Sequence, residues 1–164
     1  MPSSRYLVRE MIKPIDFSKA HLIVEYGPGH GNITKEILKK MLPDAKLLVF
    51  EINPPFIEEL EKIKDNRLHI YAMGAEKAAS ILKENHFGHA DYVVSSLPLA
   101  IIPNSIVTRI ISRSYSFLKK GNAYIQFQYS PRSLAPLKRV FDKVDVKFTA
   151  INVPPALVYV CWKK

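Results

Sequence analysis

Short runs of apolar, often β-branched residues alternate along this chain with segments whose apolar residues recur at helical spacing. Parallel strands need a crossover between them, usually a helix, so the alternation predicts a mostly parallel sheet with helices on both faces. Seven strands are predicted, at Leu22–Tyr26, Lys46–Ile52, Leu68–Met73, Asp91–Ser96, Ala123–Tyr129, Val144–Asn152 and Leu157–Trp162. The last two have no room for a helix between them, and we expect an antiparallel hairpin. The predicted fold class is therefore α/β, a doubly wound seven-stranded sheet with a terminal antiparallel β-hairpin.

Local signals mark where helices begin and end. Asn53 before Pro54 is typical of a helix start, and we expect Ser133 to begin another helix. The tract 119–122, Lys-Lys-Gly-Asn, is interpreted as a helix stop with a glycine C-cap. Apolar residues share one helical face in two segments: Ile33, Ile37, Leu38 and Met41, and Val107, Ile110, Ile111, Phe117 and Leu118.

The N-terminal residues 1–20 are predicted to be helical and carry an apolar stripe of Leu7, Val8, Met11 and Ile12. Such a stripe is more typical of core or of an active-site lid than of a membrane anchor. The longest stretch without charged residues, 92–108, is interrupted by two prolines and is shorter than the roughly 20 residues of a spanning helix. With a single cysteine, Cys161, no internal disulfide can form. We therefore expect neither an integral membrane protein nor a secreted scaffold.

Charge is unevenly distributed along the chain. Its 164 residues suit a single domain, and its net charge is +9. Residues 1–91 hold 13 basic and 13 acidic residues, whereas residues 92–164 hold 11 basic residues and only Asp142 and Asp145. This asymmetry indicates that one surface meets an anionic partner, either nucleic acid or a lipid surface. Solvated helix faces are the alternative explanation.

A glycine-rich segment leaves the first strand and enters a helix. Glycines at positions 27, 29 and 31 allow a tight turn and a close approach of the backbone to a ligand. Glu25 precedes them at the end of the strand, and Glu51 follows 20 residues after Gly31 at the end of the next strand. An acidic side chain at this second position can accept hydrogen bonds from ribose hydroxyls. The pattern predicts a nucleotide-type ligand at the carboxyl ends of the strands.

Glu25-x-Gly27-x-Gly29-x-Gly31 with Glu51 resembles the first two motifs of class I S-adenosylmethionine-dependent methyltransferases, as do the seven strands and the hairpin. The resemblance implies that residues 27–31 hold the methionine part of the cofactor and that Glu51 holds its ribose. Gly74-Ala75-Glu76 matches the adenine-contacting position, with Ala75 where an aspartate is common. The expected cofactor-binding residues are Glu25, Tyr26, Gly27, Pro28, Gly29, Gly31, Asn32, Glu51, Ile52, Asn53, Gly74, Ala75, Glu76 and Ser95.

The end of the fourth strand distinguishes methyl acceptors. Ribosomal RNA adenine dimethyltransferases carry Asn-Leu-Pro and an aromatic here, where the asparagine accepts from the amine and the aromatic stacks on the flipped base. In this chain Ser96 replaces the asparagine and Leu99 replaces the aromatic. Both departures weigh against an RNA base as substrate.

Residues 95–99, Ser-Ser-Leu-Pro-Leu, instead look like the bacterial phospholipid N-methyltransferases, which methylate phosphatidylethanolamine. Three further segments resemble that family: Pro2–Arg5, Gln126–Pro131 and Asn152–Ala156. In that family an amphipathic membrane helix precedes the first of these segments, whereas this sequence starts at Met1.

The sequence thus predicts one methyltransferase domain over residues 1–164, cytoplasmic and bound peripherally at the anionic inner membrane face, which N-methylates phosphatidylethanolamine. S-adenosylhomocysteine is the expected product, and no metal is expected because the histidines lack metal-ligand spacing. An enzyme acting on the N6 amine of RNA adenine and a non-catalytic cofactor-binding module are the alternatives, and the oligomeric state stays open. The expected catalytic residues are Ser95, Ser96 and Tyr129, and the expected substrate-binding residues are Leu97, Pro98 and Arg132; His30 is expected to be a solvent-exposed loop residue.

Overall fold

A computed structural model describes residues 4–149 and 155–164 of the chain. Its centre is a seven-stranded sheet in the order β3-β2-β1-β4-β5-β7-β6. The first five strands are parallel, and β7 lies antiparallel between β5 and β6. This confirms the predicted doubly wound sheet and terminal hairpin. The strands are β1 (Leu22–Tyr26), β2 (Lys46–Phe50), β3 (Leu68–Tyr71), β4 (Ala90–Ser95), β5 (Leu118–Gln128), β6 (Lys143–Thr149) and β7 (Ala156–Trp162).

Parts of three predicted segments lie outside the described residues. These are positions 150–152 of the predicted sixth strand, positions 152–154 of the segment Asn152–Ala156, and positions 2 and 3 of the segment Pro2–Arg5.

Helices cover both faces of the sheet and enclose a core on each. One core lies under α1, α2 and the end of α3, and the other under α4, α5 and α6. The predicted starts at Asn53 and Ser133 are confirmed as positions, although neither side chain caps its helix by a hydrogen bond. The helices are α1 (Arg5–Ile12), α2 (Asn32–Lys40), α3 (Pro54–Glu61), α4 (Ala78–Glu84), α5 (Asn104–Phe117) and α6 (Leu134–Val140), with 3₁₀ turns at Ala75–Lys77 and Pro131–Ser133.

The predicted helix stop at 119–122 is wrong, because α5 ends at Phe117 and the tract belongs to β5. Leu118 is fully buried and pairs with Ala90, so the chain enters the sheet directly after the helix. Gly121 has a φ of +88° where the pairing with β4 shifts register, and its N–H donates to the carbonyl of Lys163. The glycine therefore forms a bulge in a strand rather than a helix cap.

Of residues 4–20 only Arg5–Ile12 form a helix, and its apolar stripe is part of the core, one of the two predicted alternatives. Leu7 and Met11 are completely buried, and α1 packs against α2, β5 and β7. Ser4 accepts a hydrogen bond from the N–H of Leu7 and caps the helix. No helix in the described part of the chain is long and apolar enough to cross a membrane.

Truncating the buried face of α1 should destabilise the whole domain. We expect Leu7→Ala to lower the free energy of unfolding by about 2–5 kcal/mol, because it leaves a cavity between α1 and the sheet. Arg9→Ala on the exposed face of the same helix is the control, with an expected change within about 0.5 kcal/mol. Urea unfolding of both variants measures this, and equal midpoints would contradict the assignment of α1 to the core.

Candidate functional site

The carboxyl ends of the parallel strands lie at one edge of the sheet, which we call the carboxyl edge. The register sets Tyr26 level with Phe50 and with Ser95, and Ser95 level with Gln126. The loops that follow β1, β2, β4 and β5 therefore leave the sheet side by side. In open α/β sheets ligands bind in the crevice outside this edge.

The glycine turn after β1 has a backbone that other residues would strain. Gly27, Gly29 and Gly31 have φ values of +63°, +57° and +85°. A Cβ at Gly27 would stand 3.0 Å from the Cδ2 of Leu97, and one at Gly31 would stand 3.2 Å from the Cδ2 of Leu60. Two of the three glycines thus also permit close packing against neighbouring loops.

Glu51 joins the loop after β2 to the glycine turn. Its Oε1 accepts from the N–H of Gly29 at 3.1 Å, and its Oε2 accepts from the N–H groups of Ile52 and Asn53 at 2.9 and 3.1 Å. A carboxylate has about four acceptor positions, and these three bonds leave one on Oε1. The side chain is therefore fixed in place while it can still accept from a hydroxyl group.

Glu25 is a buried carboxyl with one oxygen satisfied. Its Oε1 accepts from the hydroxyl of Thr34 at 2.6 Å, whereas its Oε2 has no hydrogen-bond partner among the described residues. The pKa of Glu25 is raised to about 8, mainly by burial and in smaller part by the charge of Glu51, while the hydrogen bond from Thr34 opposes the shift. A cation placed beside the glycine turn would give Oε2 the partner that the protein itself does not supply.

The loop after β3 forms a 3₁₀ turn at the same edge. Ala75 is buried in the core, and the carboxylate of Glu76 lies over Gly74, where a side chain would otherwise stand. The guanidinium of Arg113 on α5 donates to the carbonyl of Glu76 at 3.1 Å. The turn is therefore held by a residue of a different helix.

The loop after β4 presents one free hydroxyl. The N–H of Ser96 donates to the carbonyl of Tyr26 at 3.0 Å, and its half-buried hydroxyl has no partner among the described residues. Ser95 is fully buried and its hydroxyl accepts from the N–H of Leu97 at 3.3 Å. Ser95 therefore supports the loop instead of reaching an acceptor, which argues against the predicted catalytic role. Leu99 is 3% exposed and packs in the core, so it offers no surface to a ligand.

Both glutamines of the chain converge on the carbonyl of Leu97. Gln126 donates to it at 2.9 Å and Gln128 at 2.8 Å, and the N–H of Leu99 donates at 2.9 Å as well. Gln126 also accepts from the buried hydroxyl of Tyr124 at 2.6 Å. A carbonyl oxygen has two lone pairs, so that of Leu97 has no capacity left for a substrate.

The structure places the remaining predicted site residues at different depths. The ring of Tyr26 is buried and its hydroxyl pairs with that of Ser114 at 2.7 Å, so only its backbone faces the site. Tyr129 is half exposed and packs edge-on against Phe127. At the carboxyl edge Leu97 packs against Gly27. Pro28 is buried and Asn32 is half-buried. The exposed residues are Ile52, Asn53, Pro98 and Arg132.

His30 lies in the glycine turn, between Gly29 and Gly31. The imidazole of His30 is half exposed, as predicted, and Glu59 on α3 holds it at 2.9 Å. Within residues 4–149 and 155–164, no three His, Cys, Asp or Glu side chains are grouped so that they could hold a metal ion.

Sequence reasoning missed a cation-rich groove of about 980 Å³ between α1, α2 and the segment after α3. Seven cations and two carboxylates line it, and both carboxylates are paired within the groove, Glu36 with Lys39 and Asp65 with Arg67. Residues 1–91 carry equal numbers of basic and acidic residues, so their net charge gave no sign of a local cluster of cations. The available signal was three lysines within one short helix, Lys35, Lys39 and Lys40.

Comparison with known proteins identifies the family. Residues 3–138 match the family model described as ribosomal RNA adenine dimethylase. The chain belongs to this family. It is a class I methyltransferase that uses S-adenosylmethionine, and its relatives indicate N-methylation.

Individual relatives of this methyltransferase act on different acceptors. The ornithine lipid N-methyltransferase of Singulisphaera acidiphila is 30% identical over 163 residues, which is 98% of this chain and 85% of that protein. The ribosomal RNA small subunit methyltransferase A of Mycoplasmopsis synoviae is 35% identical over 96 residues, 58% of this chain and 34% of that protein. Among solved structures, a precorrin-6y C5,15-methyltransferase from Geobacter metallireducens has a TM-score of 0.77 at 13% identity and covers 99% of this chain and 90% of its own.

The site fits S-adenosylmethionine on its own geometry. The cofactor carries an ammonium and a sulfonium, and the unpartnered Oε2 of Glu25 lies buried next to the glycine turn. It also carries ribose hydroxyls, and Oε1 of Glu51 retains an acceptor position. When bound, the cofactor supplies an electrophilic methyl group.

Glu25→Gln should stabilise the cofactor-free protein increasingly as the pH rises. The raised pKa, about 8 against 4.5, means that the folded state binds this proton more tightly than the unfolded state. The wild type therefore loses stability as the pH rises from about 4.5 to 8, whereas the amide has no proton to lose. Thermal unfolding midpoints of both proteins from pH 5 to pH 9 measure the difference. A difference that is constant over this range would contradict the buried, protonated carboxyl.

Gln126→Leu should cost about 1–3 kcal/mol of stability, because it leaves the buried Tyr124 hydroxyl without its acceptor. Adding Tyr124→Phe should recover part of the loss, since both polar partners are then absent. Denaturant unfolding of the wild type, the two single variants and the double variant gives the coupling energy. Strictly additive effects would show that the two side chains do not interact.

Proposed function

We propose that this chain transfers a methyl group from S-adenosylmethionine to the primary amine of a membrane-lipid head group, with phosphatidylethanolamine as the first candidate. The observation that carries the proposal is the loop after β4. It offers the free hydroxyl of Ser96 to an amine, whereas the buried Leu99 offers no surface on which a base could stack. The similarity to an ornithine lipid N-methyltransferase over 98% of the chain supports a lipid acceptor.

Cofactor binding is assigned to the loops at the carboxyl edge. Glu25 accepts from the ammonium of the methionine part, and the glycine turn, with Pro28 and Asn32, surrounds that part closely. Glu51 accepts from the ribose, flanked by Ile52 and Asn53. The 3₁₀ turn at Ala75 lies at the adenine end, where backbone groups and Glu76 provide the contacts.

The chain's part in methyl transfer is to hold the amine, keep it uncharged and exclude water. An alkyl amine is protonated at neutral pH. Its ammonium form must lose a proton to solvent before the nitrogen lone pair can attack. Ser96 accepts a hydrogen bond from the amine and fixes its direction, and Tyr129 closes one side of the mouth. Desolvation between Leu97 and Pro98 lowers the pKa of the amine, so no strong base is required. Arg132, exposed directly after β5, pairs with the lipid phosphate.

A nucleic-acid amine is the second candidate, favoured by the cation-rich groove and by the name of the family model. Seven cations along a groove suit a phosphate backbone. The lipid proposal places the protein peripherally at the cytoplasmic face of the membrane, where the same excess of cations is attracted to anionic lipids.

Radiolabelled methyl transfer tests the function, with phosphatidylethanolamine vesicles, ornithine-lipid vesicles and total RNA offered separately. Label in either lipid supports the proposal, and label in RNA alone overturns it. We expect Ser96→Ala to reduce lipid methylation roughly tenfold, the equivalent of one hydrogen bond of about 1.4 kcal/mol.

Glu51→Ala should weaken cofactor binding roughly 10- to 100-fold, because a charge-assisted hydrogen bond of about 1.5–3 kcal/mol is lost. Glu59→Ala removes an exposed carboxylate that pairs with the half-exposed His30, and it is the matched control, with unchanged affinity expected. Titration calorimetry with S-adenosylhomocysteine measures both variants. Equal affinities for the two would remove Glu51 from the cofactor site.

A further inference from the structure

The most exposed large apolar side chains of the described residues are concentrated at the carboxyl edge. They are Ile101 at 82% exposure, Ile52 at 72%, Phe148 at 66% and Tyr129 at 52%. Ile52 follows the end of β2 by two residues, Ile101 lies in the loop between β4 and α5, and Tyr129 directly follows β5. Three loops that surround the candidate site therefore each expose one such residue.

The pairing of the terminal hairpin brings Phe148 to the same edge. Phe148 on β6 lies opposite Leu157 on β7, and Leu157 lies opposite Gln128, the last residue of β5. Neighbouring strands are about 4.8 Å apart, so Phe148 lies about 10 Å from the end of β5 and from Tyr129. The four residues are thus spread along the carboxyl edge from β2 to β6, and we call them the rim.

The charges near the rim favour a lipid surface as its partner. The acidic residues at the ends of β1 and β2, Glu25 and Glu51, are buried, and no carboxylate occurs between Asp91 and Asp142. Arg132 is exposed three residues after Tyr129. Apolar and aromatic side chains flanked by cations suit the head-group region of an anionic bilayer. Two of the four rim side chains are isoleucines, which have no π-face for a nucleic-acid base, so the rim suits a bilayer better than single-stranded RNA.

We propose that Ile52, Ile101, Tyr129 and Phe148 insert into the head-group region of a bilayer and thereby seat the mouth of the active site on it. The inference rests on the proposed function, because a lipid acceptor is the reason for the active site to meet a bilayer. It explains how an amine that stays within the bilayer interface reaches a site at the edge of a sheet. The docking is reversible, because four side chains bury little area compared with a spanning helix.

Vesicle sedimentation of the double variant Ile101→Ser/Phe148→Ser tests the proposal. Neither residue is assigned to the cofactor or the acceptor, and both are exposed, so folding and cofactor affinity should be unchanged. With vesicles of phosphatidylethanolamine and phosphatidylglycerol in a 3:1 ratio, we expect at least tenfold weaker binding than for the wild type. Val146→Ser, an exposed apolar position one pleat farther from the edge on the same strand as Phe148, is the matched control and should bind normally.

Activity measurements separate this inference from the proposed function. The double variant should lose methylation of vesicle lipid in proportion to its lost binding, and should methylate a monomeric short-chain phosphatidylethanolamine at the wild-type rate. If vesicle binding falls but no lipid is methylated by any protein, the rim stands and the lipid-methylation proposal fails.

Three results would overturn the proposal that the rim inserts into a bilayer. One is vesicle binding by the double variant that equals that of the wild type. Another is loss of vesicle binding only when the cation-rich groove is altered by Lys35→Glu/Lys40→Glu, which would make the groove the docking surface. The third is a wild type that binds RNA but no vesicles at matched salt.

Discussion

Hydrogen bonding just beyond the ends of the strands is the constraint on which the site depends. The N–H of Gly27 donates to Phe50, that of Glu51 to Tyr71 and that of Ser96 to Tyr26, so each loop continues the sheet by one rung. Beyond that rung the Glu51 carboxylate accepts from three backbone amides of the loops. The parallel sheet thus sets where each loop leaves its strand, and the side chain of Glu51 holds the loop after β2 against the glycine turn after β1.

On the proposed function, the choice of acceptor depends on a small number of departures from the base-methylating pattern. A serine hydroxyl is shorter than an asparagine amide and reaches less far from the strand end, which leaves room for a flexible alkyl amine. Leu99 faces the core, and three donors already occupy the carbonyl of Leu97. Restoring an aromatic at position 99 would therefore first require repacking beneath the loop. The loop after β4 is therefore held by two side chains of β5 as well as by its own backbone hydrogen bond.

The fold and the cofactor motif could be predicted because they depend on local patterns. Strand β1 has the predicted bounds, and all three glycines of the turn have positive φ. The tract at 119–122 could not be interpreted locally, since Gly121 in its bulge is bonded to Lys163, which directly follows β7 and is distant in sequence. The contact of Gln126 and Gln128 with one carbonyl is likewise set by the register of β4 and β5. Sequence spacing alone does not contain that register.

The buried carboxyl of Glu25 has a consequence for how the enzyme exchanges its cofactor. With a pKa near 8, the empty site carries a proton on this group at neutral pH. On the proposed assignment, an arriving ammonium pairs with the ionised form, so loading the site releases that proton to the buffer. S-adenosylhomocysteine keeps the same ammonium and leaves with the same proton uptake. The Glu25 carboxyl then alternates between a neutral form in the empty site and an ionised form in the loaded one, and the enthalpy of binding depends on the ionisation heat of the buffer.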